Sequence, residues 1–351
     1  MKERDSTFEG MRLIAMLMII WGHCMMATAK DQLPYLGTLD CIGWGVGAFT
    51  VCAVNLFFLL TGFFLNNDGY RISTTVYNWI KTIFYSSMIY IVYCIVTQSF
   101  VTKECIGYFL PILTKKYWYM QTYVVSTLLL PFFVKGLGKL KNRQLTVMIG
   151  ILVMFFSLHQ TFFKVQYTLD QTQGYGFIWA YVMYIIGYWL RRNEEIIIKK
   201  SVWFYIGLYV LASVAIFCSN YFIVKWNIAG GVTSRGNFYA YNSVTVMMQS
   251  ICLFCGFIKI SKRNIRNKMI NSLASNCLAG YLISSHPLLL YPLWTEGLPV
   301  NRYIGKPILY IIISFMLSVI VLLVSILIDK IVEKIAARLN IRKYINKVDD
   351  I

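Results

Sequence analysis

Acidic side chains are scarce in this chain. Its 351 residues carry fifteen Asp and Glu against 33 Lys and Arg, and the four charged types together make up only 14% of the sequence. So little charge beside 58% hydrophobic residues excludes an ordinary water-soluble domain, in which about a quarter of residues are charged. No Asp or Glu falls deep within an apolar run, which counts against the carboxylate relays of ion-coupled transporters. Low-complexity linkers, tandem repeats and a separable soluble domain are also missing. Histidine is limited to three residues. None of these accompanies the Cys252-x-x-Cys255 pair at ligand spacing, so no metal site is indicated. Most of the nine cysteines lie inside apolar runs and read as small packing residues. Cys41 and Cys105 fall in outer loops, where a disulfide is permitted.

What is present in abundance is apolar sequence. Ten stretches approach the length of about 20 residues that crosses a bilayer, near 11–29, 44–65, 80–100, 117–134, 145–163, 176–190, 202–224, 238–260, 276–294 and 307–328. The expected fold is an all-α polytopic transmembrane bundle of about ten spans over residues 1–330, followed by a basic amphipathic tail at 331–351. The net charge of +18 would suggest nucleic acid in a soluble protein. Here 24 of the 33 basic residues lie on one side of the spans, so the positive-inside rule places both termini in the cytoplasm, with the lipid bilayer and no nucleic acid as partner. The opening run with Ala27-Thr28-Ala29 also resembles a cleavable leader. Arg12, Trp21, Gly22 and His23 interrupt what would be a uniformly apolar leader core, so a retained span is expected.

Arg12 and His23 are eleven residues apart in that first span. On an α-helix they differ by only about 20° in direction and about 16 Å in height. One stripe therefore joins a phosphate-binding cation at the cytoplasmic mouth to an acid/base group near mid-membrane, a spacing suited to a ligand with an anionic head and a reactive tail. Asn55 and His286 fall at similar depth, and Pro287 is expected to break the helix beside His286 and free backbone carbonyls. Arg71 and Lys81 either report topology alone or join Arg12 in an anionic headgroup site. Thr61 and Gly62 are small enough for a neighbouring helix to approach closely. Trp118, Tyr119 and Gln121 open one span, and Tyr239, Tyr241 and Asn242 another. Such aromatics serve as interfacial belts or as a platform for sugar rings.

The R-x10-H pattern of Arg12 and His23 resembles the membrane-bound acyltransferase 3 family. So do Asn55-Leu56-Phe57-Phe58-Leu59-Leu60-Thr61-Gly62, with Thr61 in place of the usual Ser, Tyr117-Trp118-Tyr119, Leu129-Leu130-Pro131-Phe132, Phe177-Ile178-Trp179 with Gly187-Tyr188, and Tyr281-Leu282-Ile283 with His286-Pro287. The resemblance covers nearly the whole chain, and the order of these short motifs is its specific part. It implies an O-acyltransferase of the cell membrane that takes an acyl group, usually acetyl, from cytoplasmic acyl-CoA and delivers it to a hydroxyl of an envelope polysaccharide or lipid-linked sugar. Acetyl-CoA would be a donor substrate, with no tightly bound cofactor. The family's catalytic histidine and essential arginine map onto His23 and Arg12. Arg71 and Lys81 are then further candidates for the donor's phosphates, and Asn55, Trp118, Tyr119, Gln121 and His286 for the acceptor. One departure is that Ser284 stands where many members carry a histidine, and His286, two residues on, points about 200° away on a regular helix. A multi-span transporter or flippase and a membrane-embedded docking subunit are the competing classes.

Overall fold

The computed structural model describes residues 5–29, 37–65, 72–163, 172–229 and 237–350. Among these the chain forms α-helices and no strand. In order they are α1 (Ser6–Ala29), α2 (Thr38–Thr50), α3 (Ala53–Phe63), α4 (Ile72–Thr97), α5 (Thr102–Phe109), α6 (Trp118–Lys139) and α7 (Asn142–Val153). A π-helical turn at Met154–Leu158 carries α7 into α8 (His159–Phe162). Then follow α9 (Phe177–Arg192), α10 (Glu194–Ile197), α11 (Val202–Ala229), α12 (Val244–Ser261), α13 (Lys268–Ala274), α14 (Leu278–Ser284), α15 (Pro307–Arg338) and α16 (Ile341–Ile345).

The bundle is apolar outside and hydroxyl-bearing inside. Trp226 (83% exposed), Phe132 (80%) and Ile308 (76%) project outward, an arrangement that water would penalise and lipid accepts. Buried serines and threonines line the helix contacts, and their hydroxyls donate to carbonyls one turn earlier: Thr82 to Asn78 at 2.7 Å, Ser250 to Val246 at 2.6 Å, Ser325 to Val321 at 2.7 Å. Among the described residues α1, the α2–α3 pair, α4, α6, the α7–α8 pair, α11, α12 and α15 are each long and apolar enough to cross a membrane.

The other two expected spans depart from single long helices. The 16 residues of α9 reach about 24 Å, short of a hydrocarbon core of about 30 Å. Its buried residues occupy almost every face, because it is enclosed by protein. The stretch at 276–294 is broken: α14 ends at Ser284, and turns lead through Pro287 to a π-helical segment at Leu293–Gly297. Pro287 has no N–H to continue the ladder, and the carbonyl of Leu282, freed by the break, accepts the Tyr117 hydroxyl at 2.7 Å. No disulfide joins the nine cysteines, Cys41 and Cys105 included, and Cys252 and Cys255 are buried packing residues.

Helix α1 lies centrally, against α2, α3, α12, α13, α14 and α15. Its start is fixed by Ser6, whose hydroxyl donates to Asn271 Oδ1 at 2.8 Å and accepts the Asn267 amide at 2.6 Å. Two apolar clusters divide the interior, one around α3, α9 and α12, the other around α14 and α15. Ile19, Phe57 and Tyr119 adjoin both and mark the seam between them.

Helices α3 and α9 cross backbone to backbone, as the small residues at 61 and 62 suggest. A Cβ at Gly62 would stand 2.1 Å from the Tyr184 carbonyl oxygen, and one at Gly187 2.3 Å from that of Leu59. Neither carbonyl can yield without shifting its helix, and overpacking of this kind costs about 1–3 kcal/mol or more. Gly62→Ala and Gly187→Ala are expected to lower the thermal unfolding midpoint in detergent, whereas Gly207→Ala, with open space around its Cβ, leaves it unchanged.

Candidate active site

At the end of the bundle that carries Arg12, a cavity of about 360 Å³ opens along the seam. Arg12, Met16 and Ile19 of α1 form one wall, which is the stripe on which His23 is the next member. Phe57, Leu60 and Thr61 of α3 and Tyr281 of α14 add apolar and hydroxyl surface, and Tyr119 of α6 is also in the lining. The mouth is polar, with Tyr77 and Lys81 of α4, Glu333 of α15 and Arg342 of α16. A larger depression, about 430 Å³, lies along α7 between Val147, Met148, Ile151 and Leu152. Its walls are almost wholly apolar, which suits a lipid chain and offers no reacting group.

His23 lies one turn, about 6 Å, beyond the Ile19 end of the cavity. It is half-buried, and its Nδ1 is 3.2 Å from the hydroxyl of Ser285. Ser285 is the C-cap of α14, at the break before Pro287. The close approach of α14 to α1 depends on Gly280, where a Cβ would meet Leu322, Ile20 and Met16 at 3.0–3.2 Å. When Nδ1–H donates to Ser285, the Nε2 lone pair is free to take a proton or attack a carbonyl.

A family model described as an acyltransferase domain matches residues 5–329. The chain belongs to the acyltransferase 3 family. It is an acyltransferase built into a membrane-spanning bundle. No curated protein matches it, and no solved structure does.

The remaining candidate residues of this acyltransferase separate into distinct places. Arg12 is bonded to Glu9 at 3.1 Å but keeps part of its guanidinium open to the cavity. Arg71 lies outside the described residues. Lys81 lines the cavity, yet its ammonium is held by Asp329 at 2.5 Å and Glu333 at 3.2 Å. Asp329 also accepts the Tyr85 hydroxyl and the Asn276 amide, each at 2.8 Å. Asp329 follows the expected span at 307–328, on a helix that runs unbroken to Arg338, and its carboxylate is fully buried among protein partners at the polar end of the bundle. With both carboxylate oxygens in use, the group is a tie between α4, the turn that joins α13 to α14, and α15.

Asn55 is a second tie. Its side chain donates to the Tyr241 carbonyl at 2.9 Å and accepts the Trp179 indole N–H at 3.0 Å, so both ends of the amide are occupied by the fold. Trp118 turns away from the cavity into a cluster with Tyr241, stacked at 5.4 Å between ring centroids, and Tyr175, edge-on at 4.4 Å. Tyr119, one residue on, points about 100° away and joins the cavity wall. Gln121 is half-buried in the same part of α6 and outside the cavity lining. His286 is fully buried and stacked on Tyr108 at 5.1 Å. The Leu288 amide donates to its Nδ1 at 3.2 Å, which puts the ring proton on Nε2, where it is 3.4 Å from the Ser86 carbonyl. One nitrogen thereby holds the chain at the break and the other faces α4.

The residue that sequence reasoning passed over is Ser285, between the missing histidine position and His286. Its signal was the break at Pro287, which changes the direction of each side chain that a regular helix would have fixed.

Two outcomes follow from this geometry. Lys81→Met leaves Asp329 buried without its counter-ion and is expected to cost about 3–5 kcal/mol, seen as a lower thermal midpoint in detergent. Adding Asp329→Leu should restore most of that loss, and a single variant as stable as the native chain would show that the pair holds nothing together. Ser285→Ala should lower kcat about tenfold with the donor KM unchanged, and Ser285→Thr should recover most of the rate. A loss confined to KM would contradict a positioning role.

Proposed function

We propose that this acyltransferase transfers an acyl group, acetyl in the first instance, from acyl-CoA to a hydroxyl of an envelope or extracellular glycan. The observation that carries the reading is the stripe of α1. Arg12, Met16 and Ile19 line a cavity that is charged at its mouth and apolar within, and the stripe ends on the half-buried His23. That gradient matches a thioester donor with phosphates at one end and a small acyl group at the other.

With the cell membrane as host, the side bearing the excess of Lys and Arg faces the cytoplasm, where the donor is made. Arg12 then receives a phosphate, and the thioester is drawn inward along the stripe. His23 Nε2 takes the proton of the acceptor hydroxyl as that oxygen attacks the thioester carbonyl. The tetrahedral intermediate collapses with loss of the coenzyme thiolate, and the imidazolium returns the proton to the sulfur. Ester and free thiol are the products, and the histidine is regenerated. In the alternative order Nε2 attacks the thioester carbonyl first and expels the coenzyme thiolate, and the acceptor hydroxyl then takes the acyl group from the ring while its proton passes to the thiolate. The aromatic cluster of Trp118, Tyr175 and Tyr241 suits stacking against sugar rings at the far end of the path.

His23→Ala, expressed to the native level in membranes, is expected to reduce acetyl esters on the host's envelope glycans by at least about a hundredfold, the usual worth of a general base. Acetylation at the native level in that variant would overturn the mechanism. Labelled acetyl-CoA supplied without acceptor separates the two orders, since label retained on the native chain and lost with His23→Ala marks the carrier route.

A further inference from the structure

The family match ends at residue 329, but the cavity does not. Beyond α15 the chain reverses at Asn340, whose φ of +54° gives the left-handed turn, and α16 returns towards α4. The returning segment is fastened at its far end by Asp349, whose carboxylate accepts the Ser73 amide at 2.8 Å and the Ser73 hydroxyl at 2.6 Å at the start of α4. Between these two points Arg342, Ile345 and Asn346 form part of the cavity wall.

We propose that this carboxy-terminal segment is part of the donor site, with Arg342 as a second phosphate-binding cation opposite Arg12. The inference rests on the reading that an acyl thioester of a phosphorylated carrier enters at this cavity. Arg342 is built for the task by its neighbours. Its guanidinium stacks over the Tyr77 ring at 4.3 Å and is bonded to Glu333 at 3.0 Å, which fixes the plane of the group. Its side chain is still 64% exposed, so N–H donors remain for a ligand. Lys81, the other cation on that wall, is only 6% exposed and already shared by two carboxylates. Glu333 is neutralised from both sides, by Lys81 and Arg342. Arg12, Lys81 and Arg342 are matched in number by Glu9, Asp329 and Glu333, so what the mouth offers an anion is the unused N–H donors of its two partly exposed guanidiniums. An oxyanion with several negative charges, such as a nucleotide pyrophosphate, is the ligand chemistry that this mouth fits.

The test uses the purified full-length chain in detergent, with equilibrium binding of labelled acetyl-CoA and its displacement by the phosphate-free thioester S-acetyl-N-acetylcysteamine. Arg342→Ala is expected to weaken acetyl-CoA binding about tenfold and to leave the displacement constant of the phosphate-free thioester unchanged, with Arg342→Lys intermediate. Unchanged acetyl-CoA binding in Arg342→Ala would overturn the inference while leaving the donor reading intact. Equal weakening of both thioesters would also overturn it, because a merely structural role in holding the cavity wall does not distinguish the two probes. A native chain that binds no acetyl-CoA would overturn the donor reading, and this inference with it.

Discussion

Taking a carboxylate out of water costs several kcal/mol, and Asp329 meets that cost because three partners from two distant parts of the chain converge on it. Lys81 and Tyr85 approach from α4, and Asn276 from the turn between α13 and α14. The same lysine reaches Glu333, one turn further along α15, and Glu333 in turn holds Arg342. The spacing of three cavity walls is therefore set by one buried charge and its immediate neighbours. Were the carboxylate unpartnered, α4 and α15 would have reason to separate and the polar mouth would lose its shape.

The His23 end of the stripe depends on a different device, a helix that stops. An unbroken 276–294 span would have presented its side chains in a regular spiral with every backbone carbonyl occupied. Pro287 prevents that, and the local turn brings Ser285 against His23, while the Tyr117 hydroxyl donates to the Leu282 carbonyl and His286 Nδ1 accepts the Leu288 amide. The start of the irregular stretch, from Ser284 to His286, is enclosed by protein, whereas Pro287 and Pro292 are exposed.

Much of this was legible in the sequence where periodicity and composition governed the outcome. The all-α bundle, the close crossing at Gly62 and the shared face of Arg12 and His23 follow from hydropathy, residue size and a turn of 3.6 residues. Lys81, Asn55 and His286 show the limit. Each is a polar residue inside an apolar run, and sequence alone does not distinguish a group that awaits a ligand from one already satisfied by a distant helix. Their partners are 248, 186 and 200 residues away along the chain. Asp329 was hidden for a related reason, since an acid just past a long apolar run looks like a surface residue, whereas Lys81, Tyr85 and Asn276 enclose it in the fold. Nothing short of the folded bundle discloses that the tail comes back to the cavity.

The unbroken course of α15 makes it a ruler. From Pro307 to Arg338 its 32 residues extend about 48 Å, so the height of everything past Asp329 is counted in residues and not adjusted by a loop. Substitutions on its lipid face change chemistry but keep the count. A single inserted residue above Asp329 would instead swing the carboxylate about 100° away from Lys81 and raise it about 1.5 Å, while the tail beyond lost its alignment with α4. Chain length within this helix is thus as much a determinant of the mouth as the identity of any residue that lines it.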